Sequence, residues 1–186
     1  FRRVLFRSSI TIWQLLALRS GKNAGLAVPK ESIDAAVAYL KRSYFSPRDR
    51  TGRPTNMRSA CAYEPGQYPA FATGAAGLLA LQVCGEYDAP EVLGSSEWLR
   101  QQAVTVDERY FYYGMYYYSQ AMKKKGGEYA AIARQTSEKL LLNEQEREGY
   151  WIGRDGQERG AGRVYATSLA LLSLSVKYNY LPIYQD

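Results

Sequence analysis

Histidine is missing from this chain altogether, and that absence removes more chemistry than any motif present supplies. A Ser–His–Asp or Cys–His catalytic site cannot be built from it, nor a zinc site that uses imidazole. Cysteine is nearly absent too. Cys61 and Cys84 are the only two, and neither sits in a metal-ligand spacing. They read as two separate thiols or as one disulfide, and they leave localisation unknown. No run of about 18 apolar residues occurs, so no transmembrane segment is expected. Basic residues are not interleaved with aromatics in a nucleic-acid-binding pattern, so no nucleic-acid partner is expected. Nothing calls for a cofactor or a metal.

What is present belongs to an ordinary globular chain of 186 residues, 46% hydrophobic and 23% charged. That length suits one domain, or a piece of a larger one, with a real core. Tyrosine is the excess, with 17 copies, and the formal charge is +6. A basic balance favours acidic partners or membrane headgroups without naming either.

The first residues, FRRVLFRSS, precede an apolar ITIWQLLAL. Together they imitate the basic and hydrophobic regions of a signal peptide, but Gln14 interrupts the run and no small-x-small cleavage site follows. FRRVLFRS also looks like an extraneous translated stretch at the end of a reading frame. Residues 1–9 are therefore set apart from the fold, which is expected to occupy 10–186.

Internal echoes organise the rest. Leu15-Leu16-Ala17-Leu18 returns as Leu78-Leu79-Ala80-Leu81 and, with one change, as Leu171-Leu172-Ser173-Leu174. Gly85-Glu86-Tyr87 returns as Gly127-Glu128-Tyr129. The spacing suggests units of about 46 residues, the first carrying a Pro-, Gly- and Arg-rich loop insert at 46–69. Each unit holds two helices of opposite character. No charged residue occurs from Pro69 to Gly85 or from Val164 to Val176, and a helix apolar all round is expected to be buried all round. The helices between are amphipathic: Ile33, Val37, Leu40 and Tyr44 make one stripe over 29–44, and Tyr129, Ile132, Thr136 and Leu140 another over 129–143. A helix over 110–125 ends in three lysines before Gly126-Gly127. Those lysines suit a helix C-terminus; a membrane-surface contact is the alternative. An open solenoid would make both helices of a pair amphipathic. The expectation is an all-α fold: a closed or partly closed α/α barrel with an inner and an outer helix layer.

One stretch is more specific. Leu140-Leu141-Leu142 leads into Gln145-x3-Gly149-x-Trp151, which resembles the QW motif of the squalene-cyclase and prenyltransferase repeat families. Spacing to Leu140 is one residue shorter than their usual pattern. Phe71–Gly85 and Val164–Leu174 look like inner helices of that group. Phe111-Tyr112-Tyr113-Gly114 and Tyr180-Leu181-Pro182-Ile183 resemble segments of an uncharacterised bacterial branch. The resemblance implies an α/α toroid in which Gln145 closes an outer helix and Trp151 ties one repeat to the next. It also implies a C-terminal piece, since the chain holds only about three and a half helix pairs.

The family chemistry does not transfer with the fold. No DxDD motif occurs; the six aspartates are scattered. Asp107 and Glu108 are the nearest acidic pair, read either as a weak catalytic candidate or as solvated loop charges. The zinc set of protein prenyltransferases needs histidine. Tyrosines are the best clue to a ligand: seven aromatics crowd 110–118 and Tyr165 opens the last inner helix. Tyr113, Tyr116, Tyr117 and Tyr165 are candidate wall residues for an isoprenoid or other hydrophobic small molecule, and inter-helix packing is the other use for such rings. Arg163, closing Arg159-Gly160-Ala161-Gly162-Arg163, is a candidate anion contact at a helix start, or part of a glycine-rich turn. Two functions stay open: an isoprenoid-binding or terpenoid-cyclase-like toroid, and a non-catalytic toroid that binds a protein partner.

Overall fold

The computed structural model describes residues 7–178. Among them are eight α-helices and no strands. In chain order they are α1 (Ser8–Asn23), α2 (Lys30–Ser43), α3 (Phe71–Val83), α4 (Pro90–Arg100), α5 (Phe111–Lys125), α6 (Gly127–Asn143), α7 (Gly156–Ala161) and α8 (Arg163–Leu174). A single 3-10 turn, Val176–Tyr178, follows α8. No described helix is long and apolar enough to cross a membrane. Residues 1–6 and the Tyr180–Ile183 segment lie outside the described residues. Ser8 and Ser9, within the stretch set apart from the fold, form the first turn of α1. α4, opened by Pro90 at its first turn, is a helix that the apolar patterning does not delimit.

Packing follows the alternation of the sequence. α1, α3, α5 and α8 touch in succession, and α2, α4 and α6 each pack on the helix that precedes them. α3 is the centre of this arrangement. Twelve of its thirteen residues are buried, as an uncharged helix requires, and each fully buried leucine contributes about 1.5–3 kcal/mol. Ile33, Val37 and Leu40 on α2, and Tyr44 at its C-cap, are all buried.

Two expectations need correction. α6 does not centre its buried seam on Tyr129, Ile132, Thr136 and Leu140, which are only half-buried; its buried residues are Ala133, Ser137 and Leu141. Small residues win there because α5 and α6 approach closely enough for the Ser119 and Ser137 hydroxyls to bond at 2.8 Å. α8, though free of charge in its apolar run, is not buried all round. Val164 is 75% exposed and Leu171 53%, although α5, α6 and α7 all pack on the helix elsewhere.

The insert between α2 and α3 is a loop, and it is ordered by the core. Phe45 N–H donates to Ala60 O and Ala62 N–H to Ser43 O, while the Tyr44 hydroxyl donates to Asn56 O at 2.8 Å. Ala60, Cys61 and Ala62 are fully buried. They reach α3 through its glycines: a Cβ on Gly74 would meet Ala60 Cβ at 2.8 Å, and one on Gly77 would meet Cys61 Cβ at 2.6 Å. Both cysteines are free thiols.

Trp151 joins two helices. Its side chain is 1% exposed, and its indole N–H donates to Leu141 O at the end of α6 at 2.7 Å. Its backbone N–H donates to the Thr167 hydroxyl on α8 at 3.0 Å. The turn that delivers it is closed by Gln145, whose amide donates to Gly149 O at 3.0 Å, and Gly149 takes φ +87°, a region that favours glycine.

Truncating Trp151→Ala should cost about 3–5 kcal/mol, read as a lower urea midpoint; a loss below about 1 kcal/mol would show that the ring carries no structural load. Gly77→Ala should cost about 1–3 kcal/mol by overpacking against Cys61. The matched change Gly156→Ala, where nothing lies within 4 Å, is the control, expected within about 0.5 kcal/mol of the wild type.

Candidate functional site

The N-terminal ends of α1, α3, α5 and α8 converge on one cavity of about 490 Å³. Its wall takes Ser9, Ile10, Trp13 and Gln14 from α1, Ala72 and Thr73 from α3, Tyr113 from α5 and Tyr165 from α8, with Tyr63 from the insert and Tyr110 at the start of α5. No lining residue carries a formal charge. Trp13 stands at the opening, 60% exposed, and its indole N–H donates to the Tyr113 hydroxyl at 3.2 Å. Burial raises the phenol pKa of Tyr113 and Tyr165, the latter also because the Glu158 charge lies near. Both rings therefore remain neutral, hydroxyl-bearing aromatic faces at physiological pH.

The candidate wall residues separate. Tyr113 and Tyr165 line the cavity. Tyr116 and Tyr117 do not; they continue the aromatic row behind it, with ring centroids 4.6 Å apart for Tyr113–Tyr117 and 5.0 Å for Tyr116–Tyr117. Phe111, Tyr112 and Tyr118 are core residues. Successive helix positions differ by about 100°, so one crowded stretch supplies both a cavity wall and inter-helix packing. Arg163 faces elsewhere, its guanidinium over the Tyr150 ring at 5.5 Å. The Arg159–Arg163 stretch is not an open turn, since α7 ends at Ala161 and Gly162 alone separates it from α8. Asp107 is exposed and paired with Arg154 at 3.4 Å. Neither Asp107 nor Glu108 lines the cavity.

Carboxylates of another kind stand behind the wall. Glu158 on α7 is 1% exposed and accepts from Tyr112 N–H at 3.2 Å and Tyr113 N–H at 3.0 Å. Asp155 accepts from Tyr110 N–H at 2.6 Å with one oxygen. With the other it caps α7, accepting from Gln157 and Glu158 N–H at 2.7 and 2.8 Å. Two of the first amides of α5, those of Tyr112 and Tyr113, are thus satisfied from another helix, so its own N-cap position need not hold a capping side chain. Tyr110 occupies it, at φ 57° and ψ 47°, and no other non-glycine residue among those described has positive φ. Such a conformation costs on the order of 1 kcal/mol or more. Gly153 lets the segment before α7 lie against that helix, since a Cβ there would meet the Glu158 backbone at 2.6 Å.

Trp13, Tyr63, Asp155 and Glu158 were invisible as site residues in the sequence, and Tyr110 was legible only as one member of the aromatic cluster at 110–118. Trp13 lies in an apolar run, Tyr63 in an insert, and a lone Glu in a polar stretch reads as solvated. No group of three or more Cys, Asp or Glu among the described residues could hold a metal. Cys61 is buried, and burial pushes its thiol up to about 12, which leaves it unreactive. The chemistry on offer is enclosure by aromatic faces, with hydroxyl and amide groups to orient what is enclosed.

Burial raises the Glu158 pKa above its ordinary 4.5, outweighing the two N–H bonds that lower it. The folded state then holds the proton more tightly than the unfolded one. Stability from this group is full below about pH 4.5 and is lost as pH rises through the raised value. The stability difference between wild type and Glu158→Gln, measured by urea unfolding from about pH 4 to 8, should therefore shift against the wild type as pH rises. A flat difference would place the Glu158 pKa at its unfolded value. Comparison with family models, with curated proteins and with solved structures returned no match.

Proposed function

We propose that this chain is part of an α/α toroid of the squalene-cyclase and prenyltransferase repeat type, and that its cavity binds an isoprenoid or a similar hydrophobic small molecule. The observation that carries the reading is the cavity itself: about 490 Å³, uncharged, walled by Trp13, Tyr63, Tyr110, Tyr113 and Tyr165. A volume of that order suits a small-molecule ligand. Flat aromatic faces hold an apolar chain by burial, and each can attract a cationic centre by about 0.5–2 kcal/mol. The toroid reading is supported by the row α1–α3–α5–α8, by the companion helices α2, α4 and α6, and by the place of Trp151 between α6 and α8. Binding is proposed without turnover. Asp107 and Glu108 lie off the cavity, and both oxygens of Glu158 already accept backbone N–H bonds.

A protein-binding scaffold is the second reading, favoured by the exposed apolar face of α8 at Val164 and Leu171.

Incubating the protein with squalene, farnesol or geranylgeraniol and extracting the bound lipid after gel filtration tests the first reading. Retention of one of them, lost about tenfold or more in Tyr113→Ala, is the expected result. No retention of any isoprenoid would overturn it.

A further inference from the structure

We infer that Tyr110 sets the size limit of this cavity, and that Asp155 is the positioning residue that holds it there. The inference rests on the cavity being a binding site, as proposed above. Tyr110 is the lining residue with the left-handed backbone. A right-handed or extended residue at that point would send its side chain in another direction. The strain persists only because the surroundings fix it. The fixing contact is the bond from Tyr110 N–H to Asp155 at 2.6 Å, reinforced by Tyr110 O accepting from Gly114 N–H at 2.8 Å. From outside, the Arg109 guanidinium lies over the Tyr110 ring at 5.0 Å. The ring is thus held both at its backbone and on one face.

Asp155 is suited to this role because its two oxygens serve two elements. One takes Tyr110 N–H; the other takes the first amides of α7. Asparagine has a single acceptor oxygen, so Asp155→Asn can keep one of these duties and not both. Tyr110→Gly and Tyr110→Asn keep a residue that accepts positive φ and remove the ring from the wall.

The test measures affinities for naphthalene, pyrene and perylene, a size series that reports cavity width whatever the natural ligand, beside geraniol, farnesol and geranylgeraniol. Wild type should bind the smaller members and discriminate against the larger. Tyr110→Gly and Tyr110→Asn should each improve binding of the largest members about tenfold or more, the scale of burying roughly two further methylene groups, with the smallest members unchanged or weakened. Asp155→Asn should relax the limit in the wild-type background and leave it unmoved in the Tyr110→Gly background, a coupling that general destabilisation would not produce. An unchanged size limit in both Tyr110 variants overturns the inference. Equal effects of Asp155→Asn in both backgrounds overturn the role of Asp155. If the aromatic series binds and no prenyl alcohol does, the isoprenoid reading fails and the size limit is still decided by the aromatics. If neither series binds wild type, both fall.

Discussion

The close approach of α3 to its neighbours is the constraint on which the rest depends. Three glycines make it possible. Gly74 and Gly77 admit the buried strip of the insert at Ala60 and Cys61. Gly114 brings α5 onto α3, where an added Cβ would lie 2.7 Å from the Phe71 ring and 3.1 Å from Ala72 Cα. Glycine costs a helix interior about 1 kcal/mol relative to alanine, so three such positions are tolerated only because the packing they permit returns more. That approach also shapes the cavity, since Ala72 and Thr73 of α3 line it together with Tyr110 and with Tyr113 of α5.

A second constraint is local to the N-terminus of α5. A helix start leaves its first amides without partners, and they are usually satisfied by the residue at the cap. Here Glu158 of α7 accepts from two of them, and Asp155, the cap of α7, holds the amide of the cap residue Tyr110. The cap position is thereby released from its ordinary chemistry and filled by an aromatic that faces the cavity. Burial of Glu158 and the strain of Tyr110 are two sides of one arrangement, in which α7 couples the wall at α5 to the wall at Tyr165 through the single residue Gly162.

Trp151 makes the corresponding joint at the far side of α6. The residue bridges the end of α6 and the flank of α8, its indole N–H bonded to Leu141 O and its backbone N–H to the Thr167 hydroxyl, so the position of α8, and with it Tyr165, follows from a contact made outside the cavity. The same helix shows what the joint does not supply. Val164 and Leu171 remain exposed although α5, α6 and α7 pack on it elsewhere.

Periodicity and charge in the sequence determined the all-helical class, the central burial of α3 and the buried stripe of α2, because solvation of charge and burial of apolar stripes act residue by residue. The absence of histidine, a matter of composition alone, excluded histidine chemistry from this chain. Which small residues would form the α5–α6 seam was not written there, since Ala133 and Ser137 carry no hydrophobic signal of their own. Nor was the cavity. Its wall draws on α1, the insert, α3, the start of α5 and α8, and its support on two acids in a stretch that reads as solvated. Burial of Glu158 and the left-handed turn at Tyr110 arise only when α7 meets α5. Local sequence sets each helix, but an amide left unpaired at one helix end can be satisfied from anywhere in the chain, and only the tertiary structure decides from where.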